Sequence, residues 1–142
     1  MEQDRIYIDK ARQKEIRGIK DSGYLNFDNQ KDVFMFALSM GVDCYNGDVL
    51  ESAKDGFFND RDLNEADKAM IYALIAPELA KLEDITNKDQ VFKMAEGMAN
   101  KGFSIILDEM KDKSPEVYML LMLNKANELF GEAKECCGQA FL

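Results

Sequence analysis

The segment that decides the fold is VFMFALSMGV, residues 33–42, in which nine of the ten residues are apolar or glycine. A helix that is apolar on all sides has no face for water, so we expect this one to be the central element, covered by the others. Asn29, with Asp32 three residues later, is typical of an N-cap and the first turn that follows it. The sequence therefore predicts a central helix over residues 29–41.

Apolar residues at helical spacing predict four further helices, one before this segment and three after it. They cover residues 9–21, 62–76, 87–111 and 115–130. Asp62 followed by Glu65 resembles a capping box at the start of the third helix. Pro77 is expected to kink or end that helix, because proline has no amide hydrogen and crowds the preceding turn.

The ends of the last two helices carry their own signals. Thr86 or Asn87 can cap the fourth helix. The Ser114–Glu116 segment combines a cap, a proline in the first turn and an acid at the positive end of the helix dipole. Gly131 is a natural stop, and residues 132–142 carry weak signals that predict a frayed or loosely docked tail.

Two sets of side chains in the C-terminal half bear on packing. The small residues Ala95, Ala99 and Gly102 would let another backbone come close. Five methionines either belong to the core or form an adaptable groove for a partner helix, and both interpretations stay open. These methionines are Met94, Met98, Met110, Met119 and Met122.

Periodicity disappears between residues 43 and 60, where we expect a short hairpin or an ordered loop. Asn46-Gly47 is a turn signal between the pairs Cys44-Tyr45 and Val49-Leu50. The adjacent aromatic residues Phe57 and Phe58 are expected to hold this loop against the core.

The predicted fold class is all-α, with about five helices in one domain that spans residues 1–142. No repeat and no stretch of linker composition divides the chain. We expect the apolar stretches around four residues to pack against one another and to form the core. These residues are Phe34, Ala73, Ile106 and Leu120.

The absence of histidine excludes an imidazole base, a Ser-His-Asp or Cys-His arrangement and a histidine metal ligand. Cys44 and the neighbouring Cys136 and Cys137 form no CxxC motif, and the role of the last two stays open. The oxygen ligands at alternate positions of residues 60–64 resemble the opening of a calcium loop. That loop would need glycine and glutamate where Glu65 and Ile71 stand.

No glycine-rich phosphate motif of the GxGxxG or GxxxxGK[ST] type is present in the sequence. We therefore expect no cofactor, no metal and no enzymatic activity, with an enzyme built on carboxylates alone as the open alternative.

Charge is polarised along the chain. The net charge is −9, yet residues 5–20 hold six basic and two acidic residues, a local charge of +4, which leaves −11 over residues 21–142. Lys10, Lys14 and Arg17 share one helix face in what we expect to be a basic N-terminal helical segment of residues 1–21. That face is either a solvated surface that pairs with the acidic body, or a contact for DNA or an acidic partner.

The location of the protein follows from its first residues and from its hydropathy. MEQDRIYIDK has no apolar segment of the signal-peptide type, and no apolar run approaches ~18 residues. Three cysteines without a disulfide framework suit a reducing compartment. The sequence therefore predicts a cytoplasmic protein with no membrane contact.

Three stretches carry a resemblance to known proteins. They are KDVFMFALSMG at 31–41, DGFF at 55–58 together with DKAMIYAL at 67–74, and AEGMANKGFSIIL at 95–107. Over roughly residues 27–110 the chain resembles a group of small bacterial proteins encoded beside DNA-phosphorothioation (dnd-type) and related restriction loci. The resemblance implies an accessory role in phage defence, and it transfers no catalytic residue.

Three functional hypotheses remain after these exclusions. The first is a non-catalytic interaction module that docks on a larger nuclease, ATPase or DNA-modification enzyme, either as a single chain or as a homodimer. The second is an acidic mimic of DNA that occupies the cleft of a nucleic-acid enzyme, as anti-restriction proteins do. The third is weak DNA contact through Lys10, Lys14 and Arg17.

Overall fold

The computed structural model describes residues 5–22, 29–50 and 54–140, and these are mostly helical. The elements are β1 (Arg5–Asp9), α1 (Lys10–Ser22), α2 (Gln30–Gly41), β2 (Lys54–Asn59), α3 (Glu65–Ile75), α4 (Lys88–Met110) and α5 (Pro115–Ala140). Short 3-10 turns lie at Val42–Cys44, Asp60–Asp62, Ala76–Glu78 and Leu82–Thr86. The predicted helical class is confirmed in its five helices, and a two-stranded sheet adds to it.

The central helix is α4, and the prediction that residues 29–41 would be central is wrong. Buried positions recur along α4 from Val91 to Met110. In α2, by contrast, Ser39 is exposed, while Met35 and Phe36 are half-buried. Met and Phe can be tolerated at a partly exposed helix face, so an apolar run alone does not place a helix at the centre.

The backbones of α2 and α4 approach each other closely, as the small residues predicted. A Cβ placed on Gly102 would lie 1.6 Å from the carbonyl oxygen of Ala37, and one on Gly41 would lie 2.0 Å from that of Met98. Since no side chain larger than hydrogen fits at either position, these two glycines set the distance between the helices.

Helix caps follow local side-chain chemistry. Asn29 Oδ1 accepts a hydrogen bond from the Asp32 amide at 2.9 Å, which confirms the predicted cap of α2. The predicted capping box at Asp62 is wrong, because Asp62 lies in a 3-10 turn and Asn64 caps α3. Asn64 and Asp67 form the reciprocal capping box there, at 2.8 and 3.0 Å. Pro77 ends the α-helical part of this segment, as expected.

β1 and β2 form an antiparallel pair in which Arg5 faces Asn59 and Asp9 faces Lys54. The prediction that residues 1–21 are helical is therefore wrong for residues 5–9, because their alternating pattern buries Ile6 and Ile8 as in a strand. Residues 1–4 lie outside the described ones.

β2 falls within the region predicted as a hairpin or ordered loop, but its partner is the N-terminal strand rather than a neighbouring segment. The hairpin turn predicted at Asn46-Gly47 does not form. The chain bends there, with Gly47 at φ 92° and the Asp48 amide donating to Asn46 Oδ1 at 3.3 Å, and residues 45–50 form no strand.

A bulge in the sheet explains how Phe57 and Phe58 are both buried. The pairing shifts between Ile6, which faces Phe58, and Tyr7, which faces Gly56. Neighbouring side chains of a regular strand point to opposite faces, and an extra residue in one strand changes this alternation. Both phenyl rings therefore enter the core, which confirms the prediction that they hold this segment down.

Helix α5 is longer and more exposed than predicted. It continues through Gly131, which does not adopt the positive φ of a capping glycine, to Ala140. Phe34 and Ile106 lie in the core as expected, and so do Ile71 and Ile75 on either side of the exposed Ala73. The stretch around Leu120 is mostly exposed, so that part of the predicted core is wrong. Among the described side chains of α5, Tyr118 is the one that is fully buried.

Candidate interaction surfaces

The structure brings the three sequence-predicted contact residues together on the exposed side of α1. They are Lys10, Lys14 and Arg17. The turn into this helix is made by Asp9, whose Oδ1 accepts a hydrogen bond from the Ala11 amide at 3.0 Å. On the other side, Ile16 is buried and Arg12 donates a hydrogen bond to Ser104 of α4. The helix is thus anchored by one face while its cations face solvent.

The cations line an open groove of about 670 Å³ between α1 and the sheet, which we call the basic groove. Its polar lining consists of Arg5, Lys10, Gln13, Lys14, Arg17 and Asp55. Four cations against one carboxylate give the lining a local charge of +3, in a chain whose net charge is −9. The groove is therefore a positive site on an acidic protein, and it favours anionic ligands.

Arg5 is the groove cation that the predicted contact set lacked. It belongs to β1, and it lies across Gly56 of the neighbouring strand. A Cβ on Gly56 would stand 2.9 Å from the Arg5 Nε, so glycine leaves room for the guanidinium group here. The short alternation in RIYID, residues 5–9, is the sequence signal that could have placed Arg5 on a strand beside α1.

Gln13 adds a neutral polar group to the basic groove. Its Oε1 is buried and accepts no hydrogen bond from the residues that the structure describes. A buried acceptor without a donor costs free energy. The groove lining thus combines cations with hydrogen-bond acceptors, Gln13 and Asp55.

A second surface lies on α5. Four large apolar side chains of its first turns are between 51% and 58% exposed. They are Val117, Met119, Leu120 and Leu123, which we call the α5 face. At 3.6 residues per turn these side chains fall on one side of the helix, and clustered apolar exposure of this kind marks sites of protein interaction more often than scattered exposed residues do.

The other side of α5 attaches it to α4. Tyr118 is buried, and burial together with the negative charge of Glu109 raises the pKa of its hydroxyl to about 12. Lys125 forms an ion pair with Glu109. These contacts hold the helix while the α5 face stays directed away from α4.

Four of the five methionines lie in the core or pack against it, and Met119 belongs to the α5 face. Met94, Met98 and Met110 are buried, which confirms the core interpretation for these three. Met119 is exposed and Met122 is half-buried. The alternative interpretation, an adaptable surface for a partner, therefore still applies to α5.

The acidic stretch at residues 60–64 serves ion pairing and capping. The Lys88 Nζ lies 2.5 Å from Asp60 Oδ2, and Asn64 caps α3. In the described part of the chain, no three His, Cys, Asp or Glu side chains come together in a way that could hold a metal ion. The side chains of Cys136 and Cys137 lie outside the described ones, so their role stays open.

No helix within the described ranges combines the length and the apolar character needed to cross a membrane. Comparison of the chain with known protein families, with curated proteins and with solved structures found no match. The resemblance to proteins of DNA-phosphorothioation loci therefore stays a prediction.

Proposed function

We propose that the protein is a non-catalytic accessory module that docks on a larger protein through the α5 face. The observation that carries this proposal is the exposure of that face on a helix already attached to the body by its opposite side. Removing exposed apolar surface from water is favourable by about 25 cal/mol per Å². A complex in which a complementary partner covers the α5 face would therefore be stabilised.

The charges around the α5 face favour a different protein over a second copy of this chain. Glu116 and Glu128 are exposed on the same helix, whereas Lys125 is engaged with Glu109. Two copies would bring like charges together, and the net charge of −9 adds to that repulsion. The partner that fits is an apolar groove with a rim of lysine and arginine residues.

The resemblance stated above supports a choice of candidates for this partner. Proteins of that group are encoded beside restriction and DNA-modification loci, so the first candidates are a nuclease, an ATPase or a DNA-modification enzyme. Enzymes that handle DNA carry basic surfaces, and these complement the acidic flank of α5.

Photo-crosslinking in the native cells tests the proposal. A photoreactive residue is placed at position 120 in one variant and at position 82 in a matched control, since Leu82 is an exposed leucine outside α5. We expect crosslinks to one larger protein from position 120 and none to that protein from position 82. The crosslinked protein is then identified, purified and mixed with the unmodified chain.

Two results would overturn the proposal. One is a crosslink from position 120 to a second copy of the chain, together with a light-scattering mass of twice the 16.2 kDa of the monomer. The other is failure of the purified partner to bind the unmodified chain. A supporting result is a stable complex of the two purified proteins that weakens when Leu120 is changed to glutamate.

A further inference from the structure

The basic groove is separate from the α5 face and has no part in the proposed docking. Its volume of about 670 Å³, its four cations and its two hydrogen-bond acceptors make it a binding site in its own right. We propose that the basic groove binds a short segment of single-stranded nucleic acid through its phosphodiester backbone.

The cations form a row. Lys10, Lys14 and Arg17 follow one another along α1, and at 1.5 Å per residue the row spans about 10 Å. Arg5 stands on the opposite wall, against Gly56. A single phosphate is held best by groups that converge on one point, whereas a row of cations along one wall, with a further cation on the other, follows a chain of phosphates.

The hydrogen-bond acceptors in the groove lining favour a ligand that carries hydrogen-bond donors as well as phosphates. Gln13 and Asp55 line the groove, and the oxygens of these two side-chain types are hydrogen-bond acceptors. Phosphodiester groups are ionised at neutral pH and supply no donor. The imino and amino groups of the bases do, so a polynucleotide offers both the anions and the donors that the groove calls for.

The rest of the molecule favours a single strand over a duplex. Residues 21–142 carry a net charge of −11, which would repel the second strand of a duplex. In a duplex the base donors are also engaged in pairing, whereas a single strand presents them for contact with side chains. The groove is therefore suited to a few nucleotides of unpaired chain.

Fluorescence anisotropy with a labelled oligodeoxythymidine of about ten nucleotides, a length that covers one small binding site, tests the proposal with the full chain. We expect binding that weakens with salt, with a log–log slope near −2 to −3 for three or four neutralised phosphates of a single strand. Lys14→Ala combined with Arg17→Ala should lower the affinity about tenfold and make the slope shallower by about 1.4. Lys81→Ala removes an exposed lysine outside the groove, and it should leave both values unchanged.

Further ligands distinguish the sources of phosphate. Gln13→Leu should weaken binding of the oligonucleotide and leave binding of inorganic polyphosphate unchanged, because polyphosphate offers no base donor. Tighter binding of a duplex, of polyphosphate or of phosphatidylserine vesicles than of the oligonucleotide would overturn the proposal. So would equal binding by the wild type and the Lys14/Arg17 variant, provided that circular dichroism shows both to be folded. The purified chain is used alone, so the outcome does not depend on the docking partner.

Discussion

Glu96, in the middle of α4, accepts a hydrogen bond from the backbone amide of Tyr7 in β1, with 2.7 Å between Oε2 and N. The glutamate is 2% exposed, and the bond lies where the pairing of β1 and β2 shifts. A buried carboxylate therefore ties the N-terminal strand to the central helix at the bulge. The position of Arg5 in the basic groove depends on this tie, because Arg5 precedes Tyr7 by two residues in the same strand.

Glu96→Ala should destabilise the protein. The change leaves the Tyr7 amide without this acceptor in a partly buried position, and we expect the free energy of unfolding to fall by about 2 kcal/mol. Glu96→Gln keeps an acceptor oxygen and should cost less. Urea denaturation measures both values, and hydrogen exchange of the β1 amides shows whether the loss is greatest at the strand. An unchanged unfolding midpoint for Glu96→Ala would contradict the structural role assigned to this bond.

Gly102→Ala should be among the most damaging single substitutions in the chain. Its Cβ would collide with the backbone of Ala37, so α2 and α4 must separate, at a cost of about 3 kcal/mol or more. Gly18→Ala is the matched control, since a Cβ there meets nothing within 4 Å. Because alanine has a higher helix propensity than glycine, Gly18→Ala should raise the free energy of unfolding by about 1 kcal/mol. Thermal unfolding compares the two, and a stable Gly102→Ala protein would show that the helices do not pack this closely.

The ion pair between Lys31 and Asp67 should make stability depend on acid pH. The Lys31 Nζ lies 2.9 Å from Asp67 Oδ2. Burial acts to raise the pKa of Asp67, but its hydrogen bonds with Lys31 and with the Asn64 amide outweigh this and lower the pKa below 3.8. A carboxyl whose pKa is lower in the folded state stabilises the protein above its unfolded pKa, and that contribution is lost as the pH falls further.

In Asp67→Asn, the free energy of unfolding should therefore be lower at pH 7 and should decrease less steeply as the pH falls below about 4. Denaturation midpoints measured across this range give the comparison. Asp43→Asn, at an exposed carboxylate in a 3-10 turn, serves as the control and should leave the acid limb unchanged. If both variants follow the wild-type curve, the ion pair has no energetic role.

Tyr45 should make stability fall at alkaline pH. Burial, with smaller effects from the charges of Glu78 and Asp48, raises the pKa of its hydroxyl from 10.0 to about 12. The pKa of Tyr45 is higher in the folded state than in the unfolded state. The stability linked to its neutral hydroxyl is therefore fully present below pH 10, and it is lost as the pH rises to about 12. Ultraviolet titration of tyrosinate in the wild type and in Tyr45→Phe isolates this group. A Tyr45 signal that titrates near pH 10 would contradict its burial.

Tyr45→Phe should be neutral or stabilising at pH 7. The hydroxyl oxygen is buried and has no hydrogen-bond partner among the described residues, so its removal loses no contact and relieves a desolvation cost. Chemical denaturation at neutral pH measures the difference. Tyr72→Phe, at a half-buried tyrosine on α3, is the comparison for the loss of a hydroxyl group alone.

The helices could be predicted because their signals are local. Asn29 caps α2 within three residues of chain, and Pro77 ends α3 by the geometry of its own ring. The β1–β2 sheet could not be predicted in the same way, because residues 5–9 and 54–59 are far apart in sequence and each strand is short. Their pairing is decided by which buried surfaces meet, and a propensity scale does not contain that information.

The two interaction surfaces differ in how far the sequence indicates them. Lys10, Lys14 and Arg17 follow from helical spacing, but Arg5 and Gln13 join them only once β1 is placed beside α1. The exposure of Leu120 could not be predicted, since an apolar run is the same in sequence whether it faces the core or a partner protein. What separates the two is the limited contact of α5 with α4, which is a property of the folded chain.

The central claim is that the α5 face binds a larger protein, and its most direct test is the dissociation constant of that complex with single leucine substitutions. Isothermal titration calorimetry with the purified partner gives the value for the wild type, for Leu120→Glu and for Leu82→Glu. We expect Leu120→Glu to raise the constant at least ~10-fold, as for a residue at the centre of an interface, and Leu82→Glu to leave it unchanged. Equal constants for Leu120→Glu and the wild type would contradict the claim.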